Sequence, residues 1–172
     1  MDPLLKSVLL RRKKAEMVTF ITDHPAYFDK ALTIALQNEQ PFSWRAAWMI
    51  CGTMKKNDPR VKPHIQELIA TIPGLEDGHQ RELLKILLKM DLTEDFESLL
   101  FDLSVSLWEQ VRKTSSIRCF AFKGMIKVAK KYPELNNEII SLCQPHLINP
   151  LSPGIRKGVY KSINELTSQN SS

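Results

Sequence analysis

Apolar residues recur at helical spacing along most of the chain, and the sharpest instance lies in its last third. From Ile117 to Tyr132 they fall at Ala121, Phe122, Met125, Ile126, Val128, Ala129 and Tyr132. Intervals of three and four set them on one stripe of a helix. Lys123, Lys127, Lys130 and Lys131 gather on the opposite face, most of them near the end of the helix, where the carbonyl pole of its dipole favours cations. Ser115 is placed to cap the first turn. Pro133 stops the helix, because its ring disfavours α geometry at Tyr132, and it suits the first position of the next one. That second helix has the stripe Leu135, Ile139, Ile140, Leu142 and Cys143. Residues 115–143 therefore read as a helical hairpin.

Fainter copies of this unit fill the rest of the chain. Residues 3–22 read as an N-terminal helix, with a kink or a split into two short helices at the basic run Arg11–Lys14. Pro25 opens a helix reaching about Gln37, and Trp44 to Lys55 is apolar nearly all round, the mark of a helix packed on several sides. Asn57-Asp-Pro59 repeats the cap-and-proline start, followed by the stripe Val61, Ile65, Leu68, Ile69 and Ile72. Pro73 to Gly78 is a loop, and His79 to Met90 a short helix. Thr93 caps a helix expected to turn Phe96, Leu99, Leu100, Leu103, Leu107 and Trp108 inward. Ile155 to Leu166 is the last helix, and residues 167–172 are expected to be a frayed or disordered tail.

Each second helix carries an arginine near its start. Arg45, Arg81, Arg118 and Arg156 are separated by 36, 37 and 38 residues. The starts of the first helices, at Pro25, Pro59, Thr93/Glu94 and Pro133, recur at a similar interval. Such a period without any strand signal indicates a helical solenoid. At Ile117-Arg118, Tyr132-Pro-Glu-Leu135 and Ile155-Arg156 the chain resembles the HEAT-like (armadillo-type) repeat families, as a small bacterial-type member. Trp44-Arg45 fits fairly and Gln80-Arg81 loosely. The resemblance covers roughly residues 25–166. It implies an all-α superhelix forming a single domain over 1–172, with a capping helix at 3–22 and repeats at 25–55, 59–90, 94–131 and 133–166. It also implies a non-enzymatic scaffold that binds a protein or peptide on its concave face, which the second helices line in such families.

Charge changes the picture only modestly. The net charge of +5 is the sum of +4 over residues 1–60, −6 over 61–110 and +7 over 111–172. A basic–acidic–basic layout is not one continuous phosphate-tracking surface, which weakens a nucleic-acid reading. That reading stays as the alternative, through the resemblance to HEAT-like DNA alkylation repair proteins. No apolar run approaches the ~20 residues of a membrane helix. The apolar residues near the start precede Arg11–Lys14, the reverse of a secretory signal. Cys51, Cys119 and Cys143 lie in apolar helical surroundings and read as buried thiols of a reducing compartment, so the expected location is cytoplasmic.

Candidate chemistry is sparse. His24, His64, His79 and His146 are scattered, with no His-x-x-x-His or Cys-x-x-Cys pair, so no metal or other cofactor is expected. No glycine-rich phosphate loop or nucleophile elbow occurs. Asp102 with Trp108 is an acid near an aromatic, as in HEAT-like alkylpurine DNA glycosylases, but the surrounding residues do not match that motif. Two features remain. The arginine column (Arg45, Arg81, Arg118, Arg156) is either a ladder of bonds to loop carbonyls and acidic neighbours or a row of cations for a partner's phosphates or carboxylates. Trp44 and Trp48 are either core aromatics or an exposed anchor.

Overall fold

The computed structural model describes residues 2–170, with side chains described through Ser168. All regular structure among them is helical. The helices are α1 (Pro3–Arg11), α2 (Lys14–Asp23), α3 (Phe28–Ala35), α4 (Phe42–Thr53), α5 (Ile65–Thr71), α6 (Asp77–Leu88), α7 (Glu94–Glu109), α8 (Ser115–Ala129), α9 (Asn136–Ser141), α10 (Pro145–Ile148) and α11 (Pro153–Asn170). They gather into two compact units, Met1–Asp91 and Leu92–Ser172.

In the first unit α4 is the central element, packed against α1, α2, α3 and α6. Its Ala46, Ala47, Met49 and Ile50 are fully buried, as the all-round apolar pattern requires. Leu5 and Leu9 of α1, Met17 of α2, Phe28 and Leu32 of α3, and Leu83, Leu84 and Leu87 of α6 complete this core. A single helical pair would leave its stripe wet. At ~25 cal/mol per Å2 of apolar surface, burial against the next pair offsets the entropy of ordering it.

The N-terminal segment is two helices rather than one, and the reason is local. Arg12 and Lys13 are extended, with ψ of 148° and 162°. In a continuous helix the Lys13 amide would donate to the Leu9 carbonyl; here it donates to Glu16 Oε2 at 3.0 Å, the carboxylate half of a capping box. The released Leu9 carbonyl accepts from Arg45 Nε, and the Arg12 carbonyl from a terminal nitrogen of the same guanidinium. The proline corners also differ from expectation. Pro25–Tyr27 and Pro133–Leu135 are single 3-10 turns, and α3 and α9 begin only after them.

In the second unit α7 lies along α8, and α11 packs on α8 and α9. Leu100, Leu107 and Trp108 meet Ile117, Ala121, Phe122 and Met125 in its core. The α7–α8 crossing is close enough to require Gly124, since a Cβ there would lie 2.2 Å from Ser104 Oγ and 3.2 Å from Ser104 Cβ. The last helix runs past Leu166. Thr167 and Ser168 each donate a hydroxyl to the backbone of the preceding turn at 2.9 Å. Residues 167–170, expected to fray, are thus helical, and Ser171 and Ser172 lie outside the described residues.

Candidate functional site

Three of the four column arginines bond backbone carbonyls. Arg45 ties α4 to the end of α1 through Leu9 and Arg12. Arg118, only 1% exposed, donates Nε to the Trp108 carbonyl at 2.8 Å and a terminal nitrogen to the Leu147 carbonyl at 2.6 Å. It thereby caps the C-terminal ends of α7 and α10. Its guanidinium also stacks 4.7 Å from the centre of the Trp108 ring. Burial lowers its pKa from the usual arginine value. Arg156 donates to the Asn149 and Leu151 carbonyls at 2.7 and 3.0 Å, on the loop entering α11. A fixed guanidinium fork suits this task, because it offers several donors in one plane to carbonyls at the negative end of a helix dipole.

Arg81 does something else. Its guanidinium meets the carboxylate of Glu82 at 3.0 Å and is about a third exposed. The carbonyl-binding task in this repeat falls to two neutral neighbours that the arginine spacing misses. Gln80 donates to the Ile72 and Pro73 carbonyls at 2.8 and 3.3 Å, at the end of α5. His79 lies 2.8 Å from the Ala35 carbonyl through Nε2, at the end of α3, and 3.1 Å from Gln40 Nε2 through Nδ1. Burial holds its pKa below the ordinary histidine value. The loose fit of Gln80-Arg81 to the repeat pattern was the visible sign of this substitution.

Trp44 and Trp48 stand one turn apart on α4, stacked with ring centres 5.5 Å apart and planes 15° from parallel. Both are half-buried. Lys14 of α2 lies 5.1 Å over the Trp48 ring, and the Arg45 guanidinium 6.0 Å over Trp44. Lys6 of α1 caps the nearby Phe42 ring at 5.5 Å. Along α6, Arg81 and Lys85 flank the buried Glu82, Lys85 at 2.7 Å, and Lys89 donates to the Cys51 carbonyl at 2.6 Å. The α2–α4 contact is tight, since a Cβ at Gly52 would lie 2.8 Å from Val18 Cγ2. The indole pair of α4 therefore carries Lys14 over one ring and Arg45 over the other, while Arg81 and Lys85 of the neighbouring α6 share the buried carboxylate of Glu82. Trp108, by contrast, is fully buried and donates Nε1–H to the Leu142 carbonyl at 2.9 Å.

Nucleophile chemistry is weak in these surroundings. Burial raises the pKa of Cys51, and pushes that of Cys143 up to about 12, so both thiols stay protonated. Asp102 is exposed while Trp108 is buried, and the two do not form a shared site. Among the described residues no group of three or more His, Cys, Asp or Glu is arranged to hold a metal ion. No helix there is long and apolar enough to cross a membrane.

Stacked antiparallel helices, proline corners and a polar tie at the start of each second helix define a helical-repeat protein. The family model for the HEAT repeat domain matches residues 1–165, and the chain belongs to that family. No curated protein and no solved structure matches it.

Proposed function

We propose that the chain is a non-enzymatic scaffold that binds a protein or peptide through its second-helix face, the side that lines the concave surface in the families it resembles. The observation that carries this reading is the half-open indole pair of Trp44 and Trp48. Half-buried stacked indoles keep part of their apolar area in contact with solvent, and such rings are the commonest energetic anchors of protein interfaces. Lys14, lying over the Trp48 ring, favours a segment bearing Asp or Glu beside its apolar residues. Arg45, Arg118 and Arg156 act in this reading from behind, holding the helices that present the face. A cytoplasmic location fits this reading, since Cys51, Cys119 and Cys143 are free thiols and thiols stay reduced there.

The test is a peptide selection on the wild-type chain, counter-screened on the double variant Trp44→Ala/Trp48→Ala. Peptides that bind the wild type should lose at least about tenfold on the variant, the effect of truncating an interface anchor. Equal binding to both would overturn the tryptophan face. A generic DNA duplex that binds at about 50 mM salt and falls away steeply by about 200 mM would replace the protein reading with the nucleic-acid one.

A further inference from the structure

The second unit has a cleft of about 330 Å3 where α7, the end of α8, the proline corner and α9 meet. Its apolar wall is made by Phe101, Tyr132 and Leu135. Around this wall stand four exposed carboxylates, Glu94 and Asp102 from α7, Glu134 from the corner and Glu138 from α9. Glu94 and Asp102 are eight residues apart and so share one side of their helix. No Lys, Arg or His is among the residues that line the cleft. The adjacent Lys131 is turned to the buried Glu97, which also accepts the Tyr132 hydroxyl at 3.1 Å. Desolvation first, then that bond to Glu97 and the charges of Glu97 and Glu94, raise the Tyr132 pKa, so the phenol stays neutral.

These carboxylates are not gathered on a point, and no metal-holding group is found among the described residues. A spread of negative charge over an aromatic and aliphatic wall matches an extended cation instead. Lys and Arg side chains have that form, an apolar stem ending in a charged head. We propose that this cleft docks a lysine- or arginine-bearing segment of a partner protein, with the stems against Phe101, Tyr132 and Leu135 and the heads among Glu94, Asp102, Glu134 and Glu138. The surface is separate from the tryptophan face, lies in the other unit and carries the opposite charge, so the two readings fail independently.

Fluorescence anisotropy with a short capped Lys–Ala peptide, against its Glu–Ala counterpart, tests the proposal on the full chain. The Lys–Ala peptide should bind the wild type at low salt and the Glu–Ala peptide should not compete for the same site. Glu94→Gln/Asp102→Asn/Glu134→Gln/Glu138→Gln, all at exposed positions, should weaken binding about tenfold or more, while Trp44→Ala/Trp48→Ala should leave it unchanged. Failure of the Lys–Ala peptide to bind the wild type overturns the proposal, as does equal binding to the neutralised variant. Loss on the tryptophan variant instead would move the peptide to the other face. Salt-sensitive self-association of the wild type, abolished in the neutralised variant, would make the occupant a second copy of the chain and overturn the choice of a foreign partner.

Discussion

Arg118 keeps a full charge in the core without a carboxylate beside it among the bonds it makes, and the two carbonyls at its guanidinium explain why it is retained. Removing it leaves both carbonyls buried and unpaired, at about 1–3 kcal/mol for each such group. Arg118→Met should therefore lower Tm by several degrees, whereas Arg81→Met should cost far less, because Glu82 keeps Lys85 at 2.7 Å. Thermal melts of the two variants side by side check this; equal losses would remove the distinction between tie and surface cation. His79 makes a second prediction. With Nε2–H donated to Ala35, Nδ1 accepts from the Gln40 amide, and a proton on Nδ1 would face a donor. The folded pKa is lowered, so the neutral ring contributes stability that is fully present above the unfolded value of about 6.5 and is lost as pH falls below it. Denaturant midpoints measured from pH 7.5 down to about 5 should fall in the wild type and fall less steeply in His79→Gln. Identical slopes would contradict the assignment. The arginines were legible in the sequence because one residue type recurred at one interval. His79 and Gln80 were not, since a neutral donor can replace a cation at a helix end with no change in spacing or hydropathy.

At the scale of helices, the period of the apolar stripes marked nearly every element, because stripe and packing are the same fact seen twice. The differences fall at ends and breaks, where side chains decide. Glu16 and Arg45 between them take the donor and the acceptor that would have joined α1 to α2. Arg45→Met should free the Leu9 and Arg12 carbonyls and loosen this junction, read as faster amide exchange in residues 9–16 with α7 and α8 unaffected. Unchanged exchange would show that the Glu16 bond to the Lys13 amide alone makes the break. The α7–α8 crossing gives a sharper test. Gly124→Ala drives a methyl into Ser104 and should destabilise by about 1–3 kcal/mol, while adding Ser104→Gly should recover much of the loss by exchanging which helix carries the extra atoms. If the double variant melts no higher than Gly124→Ala, the tightness of the crossing lies elsewhere. Periodicity placed Gly124 within α8 but gave no sign of the close approach, since contact across two helices is not written along either one.

For the molecule as a whole, the charge layout read from the sequence acquires a location in each unit. In the first unit Lys14 of α2 lies over the Trp48 ring, and the acidic stretch supplies Glu94 and Asp102 to the cleft of the second. The stacked indoles could be marked as candidates from their four-residue spacing. Whether they were core or surface depended on α2 and α6, whose approach leaves both rings half open. The chain contains three tryptophans, two on the proposed contact face and Trp108 sealed in the core of the other unit. Labelling with fluorotryptophan gives each its own 19F resonance, assigned by single Trp→Phe variants. On adding a selected peptide, the Trp44 and Trp48 signals should shift together while Trp108 stays fixed. Saturable binding with both of those signals unmoved, or with Trp108 alone responding, would contradict the account.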